Sequence, residues 1–175
     1  MLFEITDEQE MLREVARRFV REEYDFARRR AVVESALGHN PELWARFAEM
    51  GWLALPFAED DGGLGGGPVE LLLLMEAFGA GLVVEPYLGA VVLGGGAVAE
   101  AASAAQRERL LPPLLAGEGL LALAFAEPEL GYELAPQATR ARPAGNGWAL
   151  SGHKAVVLAA PAAARTHPHG LTRPP

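Results

Sequence analysis

Two short stretches in the second half of the chain carry the side chains whose types and spacing suit chemistry. Glu127-Pro128 ends an apolar run, and Ser151-Gly152-His153-Lys154 precedes the apolar run Val156-Val157-Leu158. A carboxylate can accept a proton, and a lysine or histidine can stabilise a developing negative charge. Both stretches have the composition of turns, however. We therefore predict a structural role for Glu127 and a solvated side chain for Lys154.

Two further patterns invite a ligand-binding interpretation. The glycine-rich residues 60–68 could cradle a phosphate, but a P-loop ends in Gly-Lys-Ser/Thr and this stretch does not. A flexible interhelix turn is favoured. His167 and His169 could bind a metal ion, but they stand in a Pro-rich segment without other ligands, which favours disorder. We predict no metal site.

The composition describes a chain with enough apolar residues for a real core. Its 175 residues, half of them hydrophobic, suit one domain or one domain with part of another. The 23 acidic and 15 basic side chains give a net charge of −8, which argues against nucleic acid as a partner because that role needs a basic face. Cysteine is absent, so no disulfide, thiol nucleophile or thiolate metal ligand is available.

The sequence indicates neither export nor a membrane. The N-terminal residues MLFEITDEQE are acidic and lack the basic start of a signal peptide, so a cytoplasmic location is expected. The apolar residues 81–99 are long enough to suggest a membrane span. They contain Glu85, Pro86 and five glycines, and a buried helix is therefore favoured.

Helical signals fill the first two thirds of the chain, and we predict helices over most of residues 6–116. Apolar residues recur at helical spacing from Leu12 to Val20. The predicted helix starts are two capping boxes, Thr6-Asp7-Glu8-Gln9 and Ser103-Ala104-Ala105-Gln106, and the N-cap pair Asn40-Pro41. Further helices are predicted over 41–50, 68–78 and 87–102. Pro112-Pro113 should bend or restart the last helix.

Strand-like patterning replaces the helical period after Gly117-Glu118-Gly119. Residues 120–126 form an apolar strand, and residues 138–142, 148–151 and 154–159 suggest a three-stranded meander around the turn at 143–147. The predicted fold class is mainly α, with an N-terminal helical bundle followed by an incomplete antiparallel β-domain (α+β). The predicted divisions are 1–118 helical, 119–160 partial β-domain and 161–175 an irregular, disordered tail.

Four motifs in order resemble the acyl-CoA dehydrogenase family. They are WARFAEMGWLALP at residues 44–56, EDDGGLG at 59–65, QRERLLPPLLAGE at 106–118, and the stretch from the strand before Glu127-Pro128 to LSGHKAVVLAAP. The residues of these motifs most resemble those of the small-subunit or pimeloyl-CoA-dehydrogenase-like branch of the family. The resemblance covers roughly residues 1–160, and implies an N-terminal helical domain with the start of the middle β-domain, truncated soon after.

The resemblance implies FAD-dependent oxidation of an acyl-CoA thioester. In the family, a glutamate from the C-terminal helical domain removes the α-proton while a hydride leaves the β-carbon for the flavin, which yields a trans-2-enoyl-CoA. That glutamate belongs to a region that this chain lacks. We therefore assign no catalytic residue, and expect the isolated chain to be inactive.

The resemblance also implies where the ligands would lie. Backbone groups of Phe125 and Ala126 would contact the flavin, although Ala126 stands where the family has a hydroxyl. Val156 and Leu158 align with the family's Trp-X-Thr flavin contacts. Tyr132, in Gly131-Tyr132-Glu133, aligns with the segment that seats the CoA moiety.

These departures from the family motif leave two hypotheses for the function. The chain is a portion of a flavoenzyme subunit, or a non-catalytic helical partner that stabilises a true dehydrogenase subunit. A gene remnant without function is a third option. Acyl-CoA is the substrate expected for the complete protein, and a homo- or hetero-oligomer is the expected assembly.

Overall fold

Helices occupy most of residues 7–115, as the sequence predicts. The computed structural model describes residues 4–128 and 138–166, with side chains as far as residue 163. The α-helices of this part are α1 (Asp7–Glu23), α2 (Phe26–Glu34), α3 (Pro41–Glu49), α4 (Pro68–Ala80), α5 (Gly96–Ala101) and α6 (Ala104–Leu115), with a 3₁₀ turn at Glu59–Asp61 and a π-helix at Leu88–Gly95.

The predicted helix starts are confirmed. Thr6 and Gln9 form a reciprocal capping box on α1, and at the start of α6 the Ser103 N–H donates to the Gln106 side chain at 2.9 Å. The Asn40 side chain accepts hydrogen bonds from the first N–H groups of α3, with Pro41 in the first turn. Local side-chain chemistry therefore determines where these helices begin.

An aromatic cluster forms the centre of the helical core. Phe47 of α3 stacks on Phe78 of α4 with ring centroids 4.9 Å apart. Phe19 of α1 and Trp52 pack edge-on at 5.2 Å, and Tyr87 packs edge-on against Phe78 at 5.3 Å. All five rings are buried, so each contributes a large apolar area to the stability of the bundle.

The glycine-rich turn between α3 and α4 uses its own N–H groups. Gly65 donates to the Phe57 carbonyl and Gly66 to the Leu55 carbonyl, both at 2.8 Å. Gly67 donates to the Glu70 carboxylate at 2.8 Å. The interhelix turn is confirmed. A phosphate cradle needs free N–H donors, and these three are already occupied.

Two helices differ in detail from the prediction. The predicted helix over 87–102 is π-helical from Leu88 to Gly95 and α-helical only from Gly96. The restart expected at Pro112-Pro113 does not occur, because α6 runs through both prolines to Leu115. No helix within the described ranges combines the length and the apolar character needed to cross a bilayer.

The β-structure is smaller than predicted. Strands β1 (Arg140–Ala144) and β2 (Gly147–Ser151) form an antiparallel hairpin in which Pro143 lies opposite Trp148. Residues 120–126 and 154–159 are not strands, so the predicted apolar strand and the third strand of the meander are wrong. Val156 and Ala159 have φ angles of 50° and 64°, and such left-handed residues interrupt the extended backbone that a ladder requires.

Residues 160–166 correct the predicted tail. They form helix α7 (Ala160–Thr166), so the expectation of an irregular segment from residue 161 is wrong as far as 166. Pro161 lies in the first turn, where its missing N–H costs little. Ala162 is buried in the same core as Trp44 and Leu120. His167 and His169 lie outside the described residues. The fold class, mainly α with a small antiparallel sheet, is confirmed, whereas the division at 118/119 stays a prediction.

Candidate functional site

Two extended segments lie side by side and contain all four residues predicted to contact a flavin. The first segment is residues 120–127, after α6, and the second segment is residues 152–159, after β2. The Ala155 N–H donates to the Ala126 carbonyl at 2.9 Å, and the Lys154 ammonium donates to the Phe125 carbonyl at 3.2 Å. The structure therefore brings Phe125 and Ala126 together with Val156 and Leu158, across a gap of about 30 residues in sequence.

Glycines of the π-helix allow both segments to approach it closely. A Cβ at Gly94 would stand 2.8 Å from the backbone carbon of Leu121, and one at Gly89 would stand 3.0 Å from the Cβ of Leu158. A side chain at Gly94 would therefore displace Leu121, and one at Gly89 would require Leu158 to shift by a few tenths of an ångström. The π-helix thus acts as the support on which the two segments lie.

Glu127 is the polar centre of this arrangement. Its carboxylate is buried and accepts hydrogen bonds from the backbone N–H groups of Ala138 at 2.7 Å and Thr139 at 2.9 Å. The Lys154 ammonium lies 2.9 Å from the same carboxylate. The Thr139 side chain, the Ala138 N–H and the Lys154 ammonium hold the pKa of the Glu127 carboxyl well below its usual range. Glu127 is therefore ionised, and a weak base.

Lys154 differs from its prediction. Its side chain is 22% exposed and contacts both Glu127 and the Phe125 carbonyl. The expectation of a solvated lysine is therefore wrong. The sequence contains one signal that would have found this pair, because both residues stand in the motifs that carry the family resemblance.

Val156 combines exposure with an unfavourable backbone. Its side chain is 80% exposed, and its φ of 50° places a β-branched residue in the left-handed region. Such a conformation costs on the order of 1–3 kcal/mol, and is often found at functional sites. Phe125 and Leu158 are also exposed, at 41% and 45%. The edge formed by the first and second segments therefore presents an apolar surface.

Backbone donors accompany this apolar surface. Within the described residues, the N–H groups of Phe125 and Ala126 have no hydrogen-bond acceptor, whereas both carbonyls are bonded. Unpaired N–H groups beside apolar side chains suit a planar ring with acceptor atoms along one side. The side chains of Ala126, Val156 and Leu158 add no polar group. Tyr132 lies outside the described residues, so its predicted contact with CoA stays a prediction.

A separate cavity does not compete with this edge as a cofactor site. It has a volume of about 110 Å³ and is lined by residues that include His39, Trp44, Glu118 and Ala162. Sites for drug-sized ligands and cofactors usually enclose roughly 300–1,000 Å³. None of the predicted flavin contacts lines this cavity.

Comparison with known proteins identifies the helical part. Residues 6–118, well over half of the chain, match the family model described as acyl-CoA dehydrogenase, N-terminal domain. The chain belongs to the acyl-CoA dehydrogenase family. The match spans α1 to α6 and ends just before the first segment, so the helices that support the edge are those of the family. The finer placement in the pimeloyl-CoA-dehydrogenase-like branch stays a prediction.

Individual relatives and solved structures are similar to this chain. FadE12 of Mycobacterium tuberculosis is 31% identical over 125 residues, which are 68% of this chain and 31% of FadE12. The ChsE4–ChsE5 complex of the same organism superposes with a TM-score of 0.75 and 26% identity, covering 87% of this chain and 40% of that one. An acyl-CoA dehydrogenase of Bacillus anthracis, complexed with FAD, has a TM-score of 0.79 over 88% of this chain and 27% of that one. At 24% identity, this last likeness shows the fold.

The chain spans less than half of the length of each of these three relatives. The family model matches its helical part, residues 6–118. The family membership of this portion is therefore shown, whereas the activity of the whole protein is a matter of proposal.

Proposed function

We propose that this chain is the N-terminal portion of a flavin-dependent acyl-CoA dehydrogenase-type protein, and that its first and second segments form one edge of the flavin site. The observation that carries the proposal is the meeting of Phe125 and Ala126 with Val156 and Leu158 through the Ala155 N–H bond to the Ala126 carbonyl. Those four positions were selected by the family resemblance alone.

The chemistry of the edge fits a flavin ring. The unpaired N–H groups of Phe125 and Ala126 can donate to acceptor atoms of the ring. The exposed side chains of Phe125, Val156 and Leu158 offer an apolar surface that would exclude water from it. FAD supplies a hydride acceptor when bound, and the residues of this chain supply contact and orientation.

The described edge contributes no general base of its own. Glu127 is buried beneath Lys154, and its lowered pKa disfavours proton abstraction from a weakly acidic α-carbon. In the family the base comes from the C-terminal helical domain. We propose that acyl-CoA is the substrate of the complete protein, that Tyr132 helps to seat its CoA moiety, and that the isolated chain does not turn over.

A non-catalytic partner subunit is the second candidate function. It is favoured by Ala126, Val156 and Leu158, which replace the hydroxyl and the large ring of the family motif. The ChsE4–ChsE5 structure is a complex of two proteins, and a comparable hetero-oligomer would let a second subunit complete the site. Homo-oligomers remain the alternative assembly.

Titration of the purified chain with FAD separates the two candidates. The flavoenzyme proposal predicts saturable binding, seen as a shift of the flavin absorbance band, and no acyl-CoA oxidation with an artificial electron acceptor. Val156→Glu should weaken binding, because it places a charge on the proposed edge. Val33→Glu, at a half-exposed position of α2, is the matched control and should bind as the unmodified chain does. A folded chain that binds no FAD would favour the partner subunit instead.

A further inference from the structure

Within the described residues, positions 120–126 of the first segment lack the hydrogen-bond ladder that usually holds an extended chain in place. Residues 120–126 belong to no described strand, and one backbone bond, from Ala155 to Ala126, links them to the second segment. Leu120 in the core and Leu121 against Gly94 place the start of the segment, but a single backbone bond at Ala126 does not determine the tilt of its end. Another interaction must therefore determine where the N–H groups of Phe125 and Ala126 lie.

Lys154 supplies that interaction. Its ammonium contacts the Phe125 carbonyl at 3.2 Å and the Glu127 carboxylate at 2.9 Å. One cation thus binds a backbone atom and a side chain that are two residues apart on the same segment. This two-point contact defines the orientation of the backbone between them, at Ala126.

Glu127 connects the first segment to Ala138 and Thr139, the residues just before β1 of the hairpin. One carboxylate oxygen accepts from the Ala138 N–H, and the other accepts from both the Thr139 N–H and Lys154. Three parts of the chain that are distant in sequence therefore converge on one carboxylate. Gly152 permits the close approach, since a Cβ there would stand 2.5 Å from the Thr139 hydroxyl oxygen.

Burial distinguishes this ion pair from the others in the described part of the chain. The Glu127 side chain is 0% exposed and that of Lys154 is 22% exposed. The pair that comes nearest is Asp61 with Arg107, at 21% and 30% exposed. Exposed pairs contribute little to any structure, whereas a buried carboxylate depends on its cation and its hydrogen-bond donors.

We propose that Glu127 and Lys154 are a positioning pair, which holds the backbone of Phe125 and Ala126 so that their N–H groups face the flavin ring. The inference rests on the proposed function, because it assigns the flavin to this edge. Neither residue needs to touch the flavin. The pair takes the place of the missing strand ladder.

Three variants of the full chain test the pair. Lys154→Met removes the charge and keeps the length of the side chain, Lys154→Arg retains a cation, and Asp61→Asn is the matched control at the Arg107 pair. Amide hydrogen exchange reports on the pair without flavin. In Lys154→Met, the amides of Ala138, Thr139 and Ala155 should lose protection while helical amides keep theirs. Lys154→Arg should restore protection, and Asp61→Asn should leave it unchanged.

FAD titration of the same samples supplies the functional readout. In Lys154→Met the N–H donors should be misplaced, so the affinity for FAD should fall about tenfold or more and the shift of the flavin absorbance band should be smaller. Lys154→Arg should recover both. If Lys154→Met does not fold, Glu127→Gln, which keeps the shape of the acid, takes its place with the same expectations.

The two proposals fail in different ways. Unchanged amide exchange, or unchanged FAD affinity and spectrum, in Lys154→Met would overturn the positioning pair and leave the flavin edge intact. An equal loss in Asp61→Asn would also overturn it, because the effect would then be general. A folded, unmodified chain that binds no FAD would overturn the proposed flavin edge and, with it, the flavin role of the pair.

Discussion

The hydroxyl of Tyr24, at the end of α1, donates a hydrogen bond to the carboxylate of Glu85, which lies between α4 and the π-helix, and both side chains are buried. The same hydroxyl accepts from the Val84 N–H at 2.9 Å, and the Asn40 N–H donates to the other carboxylate oxygen at 3.3 Å. Burial and the bond to Glu85 raise the pKa of Tyr24 above its ordinary value. One buried phenol thus links the end of α1 to Val84 and Glu85, which precede the π-helix.

Replacement of this phenol should destabilise the whole bundle. Tyr24→Phe leaves the Glu85 carboxylate and the Val84 N–H without their partner, and an unsatisfied buried polar group costs about 1–3 kcal/mol. Urea unfolding followed by helical circular dichroism should show this loss. Tyr87→Phe, which removes one hydrogen bond to the Trp52 carbonyl, is the control. It should lower the free energy of unfolding less, because it takes no hydrogen bond from a carboxylate. Equal midpoints for the two variants would contradict the special role of Glu85.

Acid should weaken the fold through Glu127. The folded-state pKa of this glutamate lies below its unfolded value of about 4.3. Its contribution to stability is therefore fully present above the unfolded pKa, and is lost as the pH falls through the folded pKa. We expect the free energy of unfolding to decline below about pH 5, and to decline less in Glu127→Gln. Parallel declines would show that Glu127 does not contribute.

Gly94 and Gly96 should respond in opposite ways to alanine. A Cβ at Gly94 would stand 2.8 Å from the Leu121 backbone, so Gly94→Ala should push the first segment away at a cost of about 1–3 kcal/mol. A Cβ at Gly96 meets nothing within 4 Å. Gly96→Ala should therefore be neutral, or stabilise α5 by up to about 1 kcal/mol. Thermal unfolding of the two variants measures the difference, and similar changes would argue against contact with Leu121.

The hairpin should drive self-association. Trp148 and Leu150 are 70% and 68% exposed, and residues two apart on a strand share one face. Burial of such side chains is worth roughly 1.5–3 kcal/mol each, and an unpaired strand edge promotes pairing with another chain. Sedimentation should detect oligomers, which the double change Trp148→Ser with Leu150→Ser should reduce. Ala149→Ser, on the opposite face, is the control. A monomeric unmodified chain would contradict this prediction.

Much of the helical part could be predicted because its signals are local. The capping box at Thr6 and Gln9 and the N-cap at Asn40 are each formed by residues two or three apart. Amphipathic spacing from Leu12 to Val20 identified the buried residue Phe19 in the same way. Interactions within one helical turn depend little on the rest of the chain, so a pattern in the sequence is enough to reveal them.

The positions of the candidate flavin contacts followed from motifs, but their arrangement did not. The resemblance selected Phe125, Ala126, Val156 and Leu158, and the structure brings them together. The motifs also suggested strands there. The left-handed φ angles at Val156 and Ala159 interrupt the extended backbone of the second segment. Strand propensity does not account for such a tertiary constraint.

The sequence by itself determined the helix starts, the apolar faces and the family of this protein. The tertiary structure alone decided that Lys154 turns inward to Glu127, that residues 88–95 wind as a π-helix, and that α7 returns to the core. Lys154 and Glu127 are 27 residues apart, and a lysine in a turn is solvated unless a buried carboxylate lies within reach. Whether one does depends on how distant segments pack, because burial and charge pairing are properties of neighbours in space rather than in sequence.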